Sequence, residues 1–283
     1  MSTNVAPAPP TRDPNSVNAI LQAQVEKQKR DRKRTSLLVR IVQFVVLAAA
    51  LGGWILLASD DTWVTLVGSP GGVWDQLVEW GKASDFWSDV TLTLTEAALG
   101  YALGLAVALV LVALVVPFRI VDRFLAPFIA IANSLPKVVL APLFILWLGF
   151  SMMSKVLFVA SGIFFLIFYG IYSGVRSIDQ VILDNARVLG AGRFRLIVDV
   201  YLPSIVGWLI ASLQLSAAWA LTAAVISEYL GSNQGIGFRI ALGQQTLDPE
   251  AVVAGILVVA ALAVVIDRLL KLVERRYTQW RVF

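Results

Sequence analysis

The chain contains no cysteine and no histidine. Disulfides, thiolate zinc sites and cysteine nucleophiles are therefore excluded, as is the imidazole that most often serves as a general base near neutral pH. Charge is also scarce. Asp, Glu, Lys and Arg make up 15% of the 283 residues, against about a quarter in soluble domains, while 58% are hydrophobic. No Gly-x-x-x-x-Gly-Lys-Ser/Thr segment is present, so the chain has no phosphate loop of its own for a nucleotide. Gly190-Ala191-Gly192 reads as a helix break and not as a dinucleotide fingerprint. Adjacent Asp60 and Asp61 read as a surface turn, and no paired carboxylates are expected in a buried site. A formal charge of +4 is too small to point to nucleic acid. These absences predict a membrane protein that is not an enzyme.

What is present is a series of long apolar runs. Ile41–Ala58 is apolar except for Gln43 and is near the minimum length for crossing hydrocarbon. Thr91–Val116 follows, with Gly100, Gly104 and Ala108 as a small-residue seam for close helix packing. Leu125–Phe150 carries Pro127, Pro136 and Pro142, each of which removes a backbone donor and favours a kink. Val156–Tyr172, Pro203–Ser227 and Ala251–Leu269 complete an expected six spans in an all-α, polytopic bundle. Between the first two spans, Trp63, Trp74, Trp80 and Trp87 recur among acidic residues, a pattern suited to an amphipathic helix at the lipid–water boundary. Glu228–Glu250 is read as a glycine-rich loop with an apolar stretch that re-enters the membrane. The chain thus divides into a disordered basic tail (1–35), a first span with an outer interfacial segment (36–90), a core (91–273) with an inner loop at 175–202, and a tail (274–283). The first apolar run starts too late and is too long for a cleaved signal peptide.

Of the 23 lysines and arginines, all but Lys82, Lys137, Lys155 and Arg239 fall in or beside the amino-terminal tail, the 117–123 turn, the 175–202 loop or the carboxyl tail. The positive-inside rule then places both termini and the 175–202 loop in the cytoplasm of a plasma-membrane protein. On this topology Glu96 lies near a wet outer helix end, and Glu228 is expected to be solvated. Lys137 sits near mid-depth beside Asn133, Ser134 and the proline break, where an ionisable group either faces a cavity or satisfies freed carbonyls. Gly207, Ala211, Gln214, Ala218 and Thr222 form one small and polar helical stripe, flanked by Ser212, Ser216 and Trp219. Asn133, Lys137, Gln214 and Trp219 are the candidates for a translocation path.

The most informative stretch is Asp184-Asn185-Ala186-Arg187-Val188-Leu189-Gly190, followed after nine residues by Val200-Tyr201-Leu202-Pro203. Asp184 and Arg187 are placed to pair on a short helix, Gly190 supplies the turn that ends it, and Pro203 suits the first turn of the next helix. The segment resembles the EAA loop of ABC-importer permeases: Glu-Ala-Ala, three residues, Gly, nine residues, Ile-x-Leu-Pro. Asp184 stands for the Glu, Ala186 for the second Ala and Val200 for the Ile. Gly190, Leu202 and Pro203 match outright, and Asn185 departs from the first Ala. Leu140–Gly149 and Gly174–Asp179 extend the likeness to the nitrate/sulfonate/taurine-type branch, over roughly Ser69 to Arg281. The resemblance implies a type I ABC-importer permease fold in a bacterial inner membrane. It also implies a second permease copy, giving a homodimer, and two cytoplasmic ATPase subunits that bind ATP and Mg, with no cofactor on this chain. A periplasmic or lipid-anchored binding protein would deliver a small anionic or polar organic solute. Asp184, Asn185, Ala186, Arg187, Gly190, Leu202 and Pro203 would couple to the ATPase. The alternative is a secondary transporter, which the lack of an internal repeat opposes.

Overall fold

A computed structural model describes Thr35, residues 38–115 and residues 119–278. The expected basic tail, the tip of the 117–123 turn and the last carboxyl-terminal residues lie outside this range. Every regular element among the described residues is helical. The chain divides into two units, 1–60 and 61–283. The first contributes α1, Leu38–Leu57, an uninterrupted apolar helix. The second runs α2 (Asp61–Val67), α3 (Pro70–Lys82), α4 (Ser84–Val115), α5 (Arg119–Ser134), α6 (Ala141–Leu148), α7 (Met152–Arg176), α8 (Gln180–Val188), the single turn α9 (Arg193–Arg195), α10 (Leu202–Gly231), α11 (Ile236–Gln245) and α12 (Pro249–Thr278).

Among the described residues, five helical segments are long and apolar enough to cross a membrane: Leu38–Leu57, Ser84–Leu114, Met152–Arg176, Leu196–Gly231 and Pro249–Leu272. The expected third span is not one helix. It is divided into α5, a 3-10 turn at Lys137–Leu140, and α6. Pro127 is absorbed within α5, whereas Pro136 sits in extended backbone (φ −65, ψ 105) and ends the helical path. Proline disfavours helical geometry in the residue before it, which explains the break at Leu135. Pro142, by contrast, falls in the first turn of α6, where no donor is lost. Other limits shift too. α4 begins at Ser84, so the tryptophan-rich segment is the pair α2–α3 followed by the first turn of α4, and not one interfacial helix.

α7 is the centre of the second unit, flanked by α4 and α10. Glycines set both contacts. A Cβ at Gly100 would come within 3.0 Å of the Val156 carbonyl, and one at Gly104 within 2.6 Å of the Ala160 carbonyl. Such distances require the bare backbone, as in small-residue helix seams generally. On the other side, Gly162, Gly170 and Gly174 of α7 receive Trp219, Ser212 and Trp208 of α10. Phe158, Val159, Ile163, Ile167 and Ile171 are thereby fully buried with Ala223 and Ala224.

The expected loop at 228–250 contains a helix, α11, whose ten residues are too few to cross hydrocarbon. It packs on α10, α12 and α4. At the start of α12, Glu250 accepts from Ser69 N (3.1 Å) and Ser69 Oγ (2.7 Å), while Ser69 Oγ caps Gly72 N (3.0 Å). This contact holds the α2–α3 pair against α12. It spans 181 positions in the chain and has no local sequence signal.

Candidate functional site

Three features are candidates, beginning with the 179–203 loop. Asp179 caps α8 by accepting from Val181 N at 2.9 Å, and Asp184 pairs with Arg187 at 2.6 Å on its exposed side. Leu189 N donates to Asn185 O, Gly190 N to Arg187 O and Ala191 N to Ala186 O, each at 3.0 Å. The last of these is the six-to-one bond of a helix closed by a left-handed residue, and Gly190 has φ +85. Leu183 is buried with Ile178 and Leu196, and Ala186, Val200 and Tyr201 pack on that small cluster. Ala186 therefore faces the loop's own core. The outward surface is apolar where a solvated loop would be polar: Val188 is 87% exposed, Leu189 86% and Phe194 77%. Beyond α9, a π-helical turn at Leu196–Tyr201 leads directly into α10, with Leu202 and Pro203 exposed in its first turn. A rigid element exposing unpaired apolar side chains beside an ion pair is suited to a partner's groove.

The second feature is the open face of α10. Gly207, Ala211, Gln214, Ala218 and Thr222 are all exposed, while Ser212 and Ser216 on the other side are buried. Gln214 and Ala218 line a cleft shared with Ala263, Ile266 and Asp267 of α12. The structure gives the four candidate path residues different surroundings. Trp219 lies against Gly162 of α7, with its Nε1 buried and unpaired. Lys137 Nζ stands 5.9 Å from the ring centre of Phe165. Asn133 is in the last turn of α5.

The third feature overturns three expectations. Glu96 and Glu228 are both completely buried, and they interact side chain to side chain, so paired carboxylates do occupy a buried site. Lys155, 4% exposed, donates to Glu96 Oε1 at 2.8 Å and to Ser232 Oγ at 2.7 Å. Glu228 accepts from Thr93 Oγ1 (2.7 Å) through Oε1 and from Gly237 N (2.8 Å) through Oε2. Asp89 accepts from Gly235 N (2.7 Å) and from Arg239 Nε (2.5 Å), and Thr93 Oγ1 accepts from Ile236 N (3.1 Å). Asp89, Thr93 and Glu96 recur at i, i+4 and i+7, which places them on one face of α4. They meet the turn that enters α11, where Gly235, Ile236 and Gly237 offer the free N–H groups of a helix start. The spacing on α4 was visible in the sequence. The donors from the entry to α11 that bury it, 143 or more positions away, were not.

Long apolar helices around a glycine-packed centre, with a structured loop between two of them, define a multi-pass membrane protein. The chain belongs to the family of binding-protein-dependent transport system inner membrane components, whose model matches residues 100–279. It is 30% identical over 199 residues to the putative aliphatic sulfonates transport permease protein SsuC of Bacillus subtilis (strain 168), covering 70% of this chain and 72% of that one. It is 29% identical over 160 residues to the taurine transport system permease protein TauC of Escherichia coli (strain K12), covering 56% and 58%. A crystal structure of a bacterial ABC transporter involved in the import of the acidic polysaccharide alginate aligns with a TM-score of 0.57 at 17% identity, over 89% of this chain and all of that one. The fold class and the ABC-importer permease function expected from the sequence are thus established, and nothing supports a secondary transporter.

Proposed function

We propose that the chain forms half of an importer's translocation path and receives the work of ATP hydrolysis through the α8 loop. The observation that carries this reading is the loop itself: a capped helix, an exposed ion pair, a left-handed Gly190 and the outward Val188, Leu189 and Phe194. A short helix joined stiffly to α7 and α10 transmits rigid-body displacement of a partner to the spans on either side. The basic bias of the tails and loops favours both termini and α8 in the cytoplasm of a bacterial inner membrane. ATP and Mg would then be bound by two partner ATPase subunits and not by this chain. The sulfonate and taurine relatives favour a small anionic or polar organic solute, delivered by a binding protein outside the membrane. The purified chain alone is expected neither to bind nor to hydrolyse ATP, whereas the assembled complex does both. Specific nucleotide binding by the single subunit would overturn this division of labour.

The open face of α10 favours a second copy of the chain across a two-fold axis, since small and polar residues on one exposed stripe leave half a path unformed. The natural absence of cysteine makes the test direct. Single cysteines at Ala211, Ala218 and Thr222 are expected to crosslink between copies in membranes. Crosslinks confined to the Leu209 and Leu213 side of α10 would contradict it.

A further inference from the structure

The carboxylate pair holds one unexplained atom. Glu96 Oε2 is buried without any hydrogen-bond partner, although the Glu228 side chain interacts with that of Glu96. Two carboxylates in contact offer only acceptors, so an orphan oxygen on one of them is what a missing proton leaves behind. Charge points the same way. The groups facing the pair are Lys155 from α7, Asp89 and Thr93 from α4, Ser232 from the turn, and Arg239 from α11. Arg239 is taken up by Asp89 and Asp85 (3.0 Å). That leaves Lys155 as the one cation among the described residues for two fully buried carboxylates, and an uncompensated buried charge is strongly unfavourable. Two ionised carboxylates in contact repel, which favours one proton held between them.

We propose that Glu96 and Glu228 form a buried proton-binding site, in which Glu96 Oε2 carries the proton and donates it to Glu228. The assignment to Glu96 follows from the bonds already made. Both oxygens of Glu228 accept, from Thr93 and from Gly237, whereas the oxygen left without a partner belongs to Glu96. Glu96 uses only Oε1, toward Lys155. With the proton in place, the set of Glu96, Glu228 and Lys155 is neutral, and Glu96 Oε2 has a partner. The inference goes beyond the transport reading and does not depend on where the ATPase docks.

The geometry predicts an asymmetry between two neutral replacements. In Glu96→Gln the amide oxygen still accepts from Lys155 and its N–H takes the place of the proton toward Glu228. In Glu228→Gln the amide N–H faces the Gly237 N–H or turns the Thr93 hydroxyl hydrogen to the Asp89 carbonyl, and Glu96 must give up its proton to balance Lys155. The full-length chain in lipid bilayers is expected to show an infrared carboxylic-acid band at neutral pH that Glu96→Gln removes. Glu96→Gln is expected to fold as wild type, and Glu228→Gln to be recovered at least several-fold less. While the site keeps its proton and the unfolded chain has released it, stability falls as pH rises. The wild-type unfolding equilibrium should therefore shift about tenfold more per pH unit than that of Glu96→Gln, one proton's worth. The proposal is overturned if wild type shows no carboxylic-acid band at neutral pH, or if its pH slope equals that of Glu96→Gln. Equal tolerance of both glutamines would overturn the assignment, and stabilisation by sodium that vanishes in Glu96→Gln would replace the proton with a metal cation.

Discussion

Lys155→Met should destabilise the protein by about 3–5 kcal/mol, the cost of removing one partner from a buried ion pair. Lys155 Nζ is held between Glu96 Oε1 and Ser232 Oγ, and its side chain is almost wholly enclosed. Methionine fills much of the same volume and adds no polar group. The loss therefore comes from the negative charge left between α4 and α10. Recovery of folded protein from membranes and resistance to thermal aggregation should both fall sharply. Adding Glu228→Gln to Lys155→Met should cost less than the two single changes summed, because it removes the negative charge that Lys155 balances and the effects of interacting residues are not additive. If Lys155→Met is as stable as wild type, Lys155 reaches water and the buried network is misdrawn.

Gly190→Val is expected to leave the helical bundle intact and to abolish assembly with the ATPase. At φ +85 a branched side chain is strained, at a cost on the order of 1 kcal/mol or more. A Cβ at Gly190 would meet no atom within 4 Å, so the penalty is one of backbone geometry alone. The loop relieves it by turning α8 away from its present direction. The spans do not share the penalty: they rest on intrahelical bonds and on seams such as Gly104 against Ala160. Gly190→Val should thus insert normally but lose bound ATPase and substrate-stimulated hydrolysis. Asp184→Lys, which replaces the Arg187 ion pair with a like charge on an exposed surface, should lose less. Subunit ratios on gels and transport in proteoliposomes read both effects. Full ATPase occupancy and transport in Gly190→Val would remove the loop from the coupling role.

The parts of the molecule legible in the sequence were those written in local pattern. Apolar runs gave the spans, Gly100 and Gly104 gave the α4 seam, and Asp184, Arg187, Gly190 and Pro203 gave the loop's helix, ion pair, turn and next helix start. The break in the third span was signalled by its prolines, yet only the structure separates Pro136, which ends a helix, from Pro127, which does not. The polar network stayed hidden for a different reason. Helix-end carboxylates are usually solvated, and the groups that bury Glu96 and Glu228 come from α7 and from the entry to α11. Position along a helix gives depth, but whether a residue at that depth meets water or protein is set by tertiary packing. Glu250 and Ser69 repeat the lesson: neither residue marks the other.

The central claim is that α8 is the surface through which the ATPase acts, and crosslinking from its outward residues tests it most directly. The cysteine-free chain allows a single cysteine at Val188 or Leu189, with one at exposed Trp74 on α3 as a control. Each is treated in membranes with a short bifunctional reagent in the presence and absence of ATP. Crosslinking of the Val188 and Leu189 positions to an ATPase subunit, with a yield that changes on ATP binding and no product from Trp74, is the expected result. An ATPase crosslink from α3 with none from α8 would contradict it.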